Sequence, residues 1–78
     1  MQEFQIQPTS FQQVQAFVTL AARQPFDIRA GNEWQHINGK DLMGMFSLDY
    51  SRPVRIQAEC SQEAFRAFQM EAFKLLTE

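Results

Sequence analysis

The sequence predicts an α+β fold, a two-layer sandwich in which a four-stranded antiparallel sheet is covered on one side by three helices. Four segments alternate apolar and polar residues, as strands with one buried face do. Three other segments repeat apolar residues at helical spacing, and the order along the chain is β-α-β-β-α-β-α. A chain of 78 residues builds one core, so we predict a single domain over residues 1–78.

The first strand and the first helix are both read from short patterns. Phe4 and Ile6 are separated by glutamines and followed by a proline, which predicts a short strand. Ser10 and Gln13 have the spacing of a capping box, in which side chains satisfy free N–H groups at a helix start. The residues that follow predict a helix over about 11–23, closed by a proline, with its apolar side formed by Phe11, Val14, Phe17, Val18 and Ala21.

A hairpin is predicted next. The run FDIRA, residues 26–30, alternates apolar and polar side chains, and Gly31-Asn32 provides turn chemistry. The chain then returns as a second strand from Trp34 to Ile37, and Asn38-Gly39 ends it.

The second half of the chain is predicted to form a short helix, a strand and a last helix. Asp41 is a good N-cap for a short helix over about 42–48. The run VRIQAEC, residues 54–60, alternates and ends with Cys60 in its inward set. Ser61 can cap the last helix, whose apolar stripe comprises Ala64, Phe65, Phe68, Ala72, Leu75 and Leu76; Phe73 is assigned to the core with Phe65 and Phe68.

Composition excludes several classes of protein. The net charge is −2 and the seven basic residues are scattered singly, which argues against nucleic-acid binding. The N-terminus lacks the pattern of a signal peptide, and no apolar run is long enough to span a membrane. One cysteine, Cys60, allows no internal disulfide and suits a cytoplasmic location. We expect Cys60 to be a small core residue; a reactive thiolate at the start of the last helix is the alternative.

The stretch GKDLMGMFSL, residues 39–48, resembles HPr, the histidine-containing phosphocarrier of the bacterial sugar phosphotransferase system. In that family the segment usually reads like K-S-I-M-G-V-M-S-L and carries the second helix. Leu42 replaces another aliphatic residue and Phe46 a methionine, whereas five positions coincide: Lys40, Met43, Gly44, Ser47 and Leu48. Elsewhere the match is one of pattern, at low identity over nearly the whole chain. The resemblance implies an HPr-like open-faced sandwich.

The sequence departs from the family at both phosphorylation sites. Aligned through the first helix, Ser10 stands where the family has its phosphoacceptor histidine, and Gln12 stands where it has the neighbouring arginine. Asp41 occupies the position of the regulatory serine. We therefore predict no catalytic residue: a helix N-cap explains Ser10, and a surviving phosphoacceptor is the alternative.

His36 is the sole histidine, and it falls in the middle of a predicted strand. A strand offers none of the free amides that would hold a phosphoryl group at a helix start. No Cys or carboxylate lies at a ligand spacing from it, so we predict neither a metal site nor a cofactor. A surface position on the sheet is the expectation for His36, with a phosphoryl or metal role as the alternative.

The short second helix cannot bury all of its apolar residues. Leu42, Met45 and Leu48 suffice to cover the sheet, which leaves Met43 and Phe46 toward solvent as candidates for protein docking. The resemblance implies Enzyme I or another phosphotransferase component as the partner of Met43 and Phe46. We assign Lys40 to the same docking surface, and Lys40 and Asp41 lie on its border. A core role for the same residues is the alternative.

Asp41 also has two interpretations. As an N-cap, its carboxylate would accept hydrogen bonds from the first turn of the helix. Alternatively it fixes a negative charge where relatives carry a phosphoserine.

The sequence thus favours an HPr-like protein that is not an enzyme and acts as a non-phosphorylatable protein-binding or regulatory module. The first alternative is an active phosphocarrier with an unconventional acceptor. The second is self-association through the apolar patch, and we expect a monomer or a weak homo-oligomer.

Overall fold

Residues 2–76 are described by the computed structural model of the chain, and they form four strands and three helices in the predicted order. Within this range no helix is both long and apolar enough to cross a membrane. The elements are β1 (Gln2–Ile6), α1 (Phe11–Ala22), β2 (Ile28–Gly31), β3 (His36–Asn38), α2 (Leu42–Phe46), β4 (Val54–Ala58) and α3 (Gln62–Leu76).

The four strands form one antiparallel sheet in the order β1-β4-β2-β3. β4 lies inside the sheet, where Ala58 pairs with Gln2 of β1 on one side and with Ile28 of β2 on the other. The alternate residues Val54, Ile56 and Ala58 are fully buried, because one face of the sheet is covered by the helices. The predicted α+β sandwich is confirmed.

The core lies between the sheet and the helix layer. Each helix contributes one large and almost fully buried side chain: Phe17 from α1, Met45 from α2 and Phe68 from α3. The ring of Phe4 on β1 meets the rings of Phe65 and Phe68 edge to face, at centroid distances of 5.6 and 5.7 Å. These contacts fix α3 on the sheet.

Both long helices begin with serine caps, as predicted. Ser61 Oγ accepts from the N–H of Ala64 at 3.2 Å, and Ser10 Oγ accepts from the N–H of Gln13 at 3.2 Å. The return bond of the capping box differs from the prediction. Gln13 Oε1 accepts from the N–H of Thr9 at 2.8 Å rather than from that of Ser10, so the box closes one residue earlier.

The hairpin is confirmed, but its second strand starts later than predicted. Asn32 Oδ1 accepts from the backbone N–H groups of Trp34 and Gln35, at 2.8 and 3.0 Å. These bonds hold Trp34 in the loop, 85% exposed, and β3 begins at His36.

Three residues assigned to the core lie nearer the surface. Phe11 is 76% exposed and Phe73 is 44% exposed, although the ring of Phe73 still meets that of Phe4 edge to face. Cys60 follows β4, which ends at Ala58, and it packs partly buried against the core. Burial raises the pKa of the Cys60 thiol, which keeps it protonated at neutral pH and argues against a reactive thiolate.

Candidate docking surface

The candidate surface lies where the start of α1 meets the end of α2. The rings of Phe11, the first residue of α1, and Phe46, the last residue of α2, meet edge to face with a centroid distance of 5.4 Å and an angle of 85°. Both rings remain open to solvent, with 76% of Phe11 and 36% of Phe46 exposed. Two large aromatic side chains therefore support each other outside the core.

The short helix α2 divides its apolar residues as the sequence predicts. Met45 is fully buried and Leu48, just beyond the helix, is 6% exposed, whereas Met43 is 76% exposed. Met43 and Phe46 are three residues apart, which places them on the same side of the helix. We define the docking patch as Phe11, Met43 and Phe46.

An open groove of about 790 Å³ borders the docking patch at the start of α1. Its walls are Phe11, Val14, Pro8 and Tyr50, together with hydroxyl and amide side chains, and none of its lining residues is charged. The groove and the docking patch form one continuous neutral surface, because Phe11 belongs to both.

Ser10 lies at this groove, and its hydroxyl is used as a cap. The residue is extended, with φ −152° and ψ 160°, and its Oγ accepts from the N–H of Gln13. Gln12 beside it is exposed and uncharged, and the sequence has no charged residue between Glu3 and Arg23. A phosphoryl group at Ser10 would find no cation from this segment of the chain.

The structure does not bring His36 to Ser10. His36 is exposed on β3, which lies at the edge of the sheet. Its neighbour Ile37 lies toward α2, since Ile37 Cδ1 is 3.4 Å from the point where a Cβ on Gly44 would stand. Successive side chains of a strand point to opposite faces, so His36 lies on the face of the sheet that the helices leave open.

Asp41 lies at the predicted N-cap position of α2, but its side chain makes no capping hydrogen bond. Its backbone carbonyl accepts from the N–H of Met45 at 2.9 Å, and its carboxylate is exposed beside Gly44. The predicted position is confirmed and the predicted hydrogen bond is wrong, because the carboxylate lies against the glycine instead of reaching the free amides.

The side chain of Lys40 binds the backbone at the end of α1. Its Nζ donates to the carbonyl oxygen of Gln24 at 2.8 Å, just after the helix. A lysine there satisfies a free carbonyl and favours the negative end of the helix dipole. Lys40 therefore marks the opposite end of the α1–α2 pair from the contact of Phe11 with Phe46.

Tyr50 was not singled out from the sequence, yet it fixes the end of α2. Its hydroxyl donates to the carbonyl oxygen of Met45, and burial raises the pKa of Tyr50 to about 12. Asp49 sets the turn here by accepting from the N–H and hydroxyl of Ser51, and these bonds lower the pKa of the Asp49 carboxyl. Phe11 was missed as a surface residue too, although its place at the first helical position could have signalled it.

The described part of the chain holds no group of three or more His, Cys, Asp or Glu residues arranged for a metal ion. The surface around the docking patch is apolar and rich in amide side chains.

Comparisons with known proteins identify the fold. No protein-family model matches the sequence, and no curated protein does so either. Among solved structures, HPr-C-His from Thermoanaerobacter tengcongensis superimposes with a TM-score of 0.77 at 25% identity, over 100% of this chain and 98% of that one.

Two further structures agree. The phosphocarrier protein HPr from Bacillus anthracis gives a TM-score of 0.63 at 23% identity, over 86% of this chain and 90% of that one. Crh of Bacillus subtilis is described as an intertwined, domain-swapped dimer. It gives a TM-score of 0.65 at 20% identity, over 100% of this chain and 98% of that one. The chain has the fold of the HPr family.

Proposed function

We propose that this chain is an HPr-like module of the phosphotransferase type that binds a protein partner through the docking patch and carries no phosphoryl group at Ser10. The likeness to phosphocarrier structures supports the general class of the protein. The proposal that it binds without transferring a phosphoryl group rests on its own surface.

The edge-to-face contact of Phe11 with Phe46 is the observation that carries the proposal. Aromatic residues and methionine are enriched in protein interfaces, and exposed apolar patches on small domains commonly mark contact sites. Met43 adds a flexible side chain that can adapt to an opposing surface. Because Phe11 and Phe46 hold each other in place, little side-chain freedom is left to lose on binding.

The surroundings of Ser10 support binding over transfer. A serine hydroxyl becomes a nucleophile only when a base removes its proton. Ser10 Oγ instead accepts a hydrogen bond from its own helix, and His36 lies on the open face of the sheet. The neutral segment between Glu3 and Arg23 offers no charge to hold a phosphate.

The partner that fits this proposal is Enzyme I or another phosphotransferase component. Asp41, whose exposed carboxylate makes no capping hydrogen bond, would present a fixed negative charge at the edge of that contact. One carboxylate carries less charge than a phosphate, so it would mimic a phosphoserine only in part. A module of this kind would occupy a phosphotransferase partner without relaying phosphate.

A binding measurement with Enzyme I tests the contact. Immobilised Enzyme I is titrated with the wild-type chain and with the double variant Met43→Asp/Phe46→Asp. The double variant should bind at least about tenfold more weakly, because it puts charge into an apolar contact. Met70→Asp is the matched control, since Met70 is 62% exposed on α3, a helix that contributes no residue to the patch. Equal binding by the double variant would contradict the proposal.

The absence of transfer is tested separately. The chain is incubated with phosphoenolpyruvate and Enzyme I, and its intact mass is measured. We expect an unchanged mass. Stable addition of a phosphoryl group that disappears in Ser10→Ala or in His36→Ala would show a working phosphocarrier instead.

A further inference from the structure

The turn between β3 and α2 begins with an asparagine followed by a glycine, Asn38-Gly39. This pair is prone to lose the asparagine amide, because glycine has no side chain to shield its backbone nitrogen. The fold requires glycine here: Gly39 is buried, and a Cβ on it would lie 2.6 Å from Cγ2 of Ile28. The reactive pair is therefore imposed by the packing of the turn.

Two hydrogen bonds hold the pair in the folded chain. The N–H of Gly39 donates to the carbonyl oxygen of Ile28 at 2.8 Å. Oδ1 of Asn38 accepts from the N–H of Lys40 at 2.9 Å, which fixes the orientation of the side-chain amide. Attack by the Gly39 nitrogen requires the loss of its proton, so the reaction is blocked while that proton is bonded to Ile28.

The strand that carries Asn38 is held weakly. β3 has three residues, and within residues 2–76 it pairs only with β2, at the edge of the sheet. Short edge elements open locally at a free energy below that of global unfolding. The side chain of Asn38 is exposed, so water reaches it. Opening of β3 can therefore release Gly39 from Ile28 while the core stays folded.

We propose that Asn38 is a site of spontaneous deamidation, and that the reaction proceeds through local opening of β3. Once solvent has removed its proton, the Gly39 nitrogen bonds to Cγ of Asn38. The bond from Cγ to Nδ2 breaks, and Nδ2 takes a proton from solvent and leaves as ammonia. Water then opens the five-membered ring, at Cγ to give aspartate or at the backbone carbonyl carbon to give isoaspartate. The reaction consumes water, releases ammonia and involves no change of oxidation state.

Isoaspartate would alter the turn that leads into α2. In that product the main chain runs through Cγ, and the former backbone carbonyl becomes a carboxylate on a branch. The N–H of Asp41 donates to that carbonyl oxygen at 3.0 Å in the unmodified chain. The modification would therefore change how α2 is held, and with it Met43 and Phe46. The proposal goes beyond the proposed function and does not depend on it.

A comparison of folded and unfolded chains tests the proposal. Both are kept in the same mildly alkaline buffer, one of them with guanidinium chloride, and the aspartate and isoaspartate formed at Asn38 are quantified by peptide mapping. Hydrogen exchange at the Gly39 amide measures the opening of its bond to Ile28 independently. We expect deamidation to be at least about tenfold slower in the folded chain, and slowed by the same factor as hydrogen exchange to within about threefold.

Three variants locate the reaction and its gate. Asn38→Ser keeps a side-chain acceptor in the turn and should form no product. Gly31→Ala crowds the backbone oxygen of Gln35 just before β3, so it should speed deamidation of the folded chain by at least about threefold. Phe65→Leu weakens the core beside β1, at the opposite edge of the sheet, and should leave that rate unchanged.

Three results would overturn the proposal. The first is an Asn38 amide that persists in the unfolded chain. The second is an equal rate of deamidation in the folded and unfolded chains. The third is equal acceleration by Phe65→Leu and Gly31→Ala, which would show that the reaction requires global unfolding. The comparison of deamidation with hydrogen exchange uses the wild type alone, so it holds even if Gly31→Ala does not fold.

Discussion

The ring of Phe11 meets the ring of Phe46 edge to face, 5.4 Å apart at 85°, and this contact joins the start of α1 to the end of α2. Both residues remain exposed, so the pair connects the two helices and also forms part of the surface. A double-mutant cycle of Phe11→Ala and Phe46→Ala should give a coupling of about 0.5–1 kcal/mol in urea unfolding. Phe11→Ala combined with Met70→Ala should be additive; strict additivity of the Phe11 and Phe46 changes would refute the contact.

Lys40 should act on stability rather than on binding. Lys40→Met keeps the length of the side chain but removes the bond to the carbonyl of Gln24, and we expect unfolding to become easier by about 1 kcal/mol. Arg66→Met also removes one positive charge, from an exposed position on α3, and it should have little effect on stability. If Lys40→Met leaves stability unchanged but weakens binding to Enzyme I as much as Phe46→Asp, Lys40 contacts the partner instead.

Tyr50 should make the fold sensitive to alkaline pH. Its pKa is raised by burial from 10.0 to about 12, so the folded state holds the proton more tightly than the unfolded chain. Its contribution to stability is therefore complete below pH 10 and is lost as the pH rises toward 12. Unfolding by urea between pH 8 and 11 should show this loss in the wild type and less of it in Tyr50→Phe. Parallel curves for the two proteins would exclude the assignment.

Two glycines should respond oppositely to alanine. A Cβ at Gly31 would lie 2.0 Å from the backbone oxygen of Gln35, so Gly31→Ala should destabilise the fold by about 1–3 kcal/mol. At Gly44 the nearest atom is the Asp41 carboxylate at 3.0 Å, which is exposed and free to turn away. Gly44→Ala should therefore stabilise α2 by about 0.5–1 kcal/mol. Destabilisation by Gly44→Ala would mean that the carboxylate is held where it lies.

The order of elements and most of the core could be predicted from the sequence because both depend on periodicity. The inward residues of β4 and the serine caps of α1 and α3 are local patterns, and they lie where they were expected. Helical spacing also placed Phe11 in the core, yet a helix can extend beyond the sheet that it covers. Phe11 is the first residue of α1. It therefore continues the helical spacing of the buried residues, although its ring lies in solvent against Phe46.

The details of the site depend on contacts between distant residues, and these have no periodic signal. Nothing near Lys40 in the sequence indicates its bond to Gln24, 16 positions earlier. The missing cap bond of Asp41 likewise reflects the orientation of one side chain rather than its propensity. The burial of Met45 and the exposure of Met43 were predicted correctly, because only one side of the short helix α2 can face the sheet.

Mapping the contact surface by NMR tests the central claim most directly. Unlabelled Enzyme I is added to the ¹⁵N-labelled chain, and the amide signals are followed through the titration. We expect the signals of Phe11, Met43 and Phe46 to shift or broaden first, while those of His36 and Gln57 on the open face of the sheet stay in place. Changes confined to the open face, with the docking patch unperturbed, would contradict it.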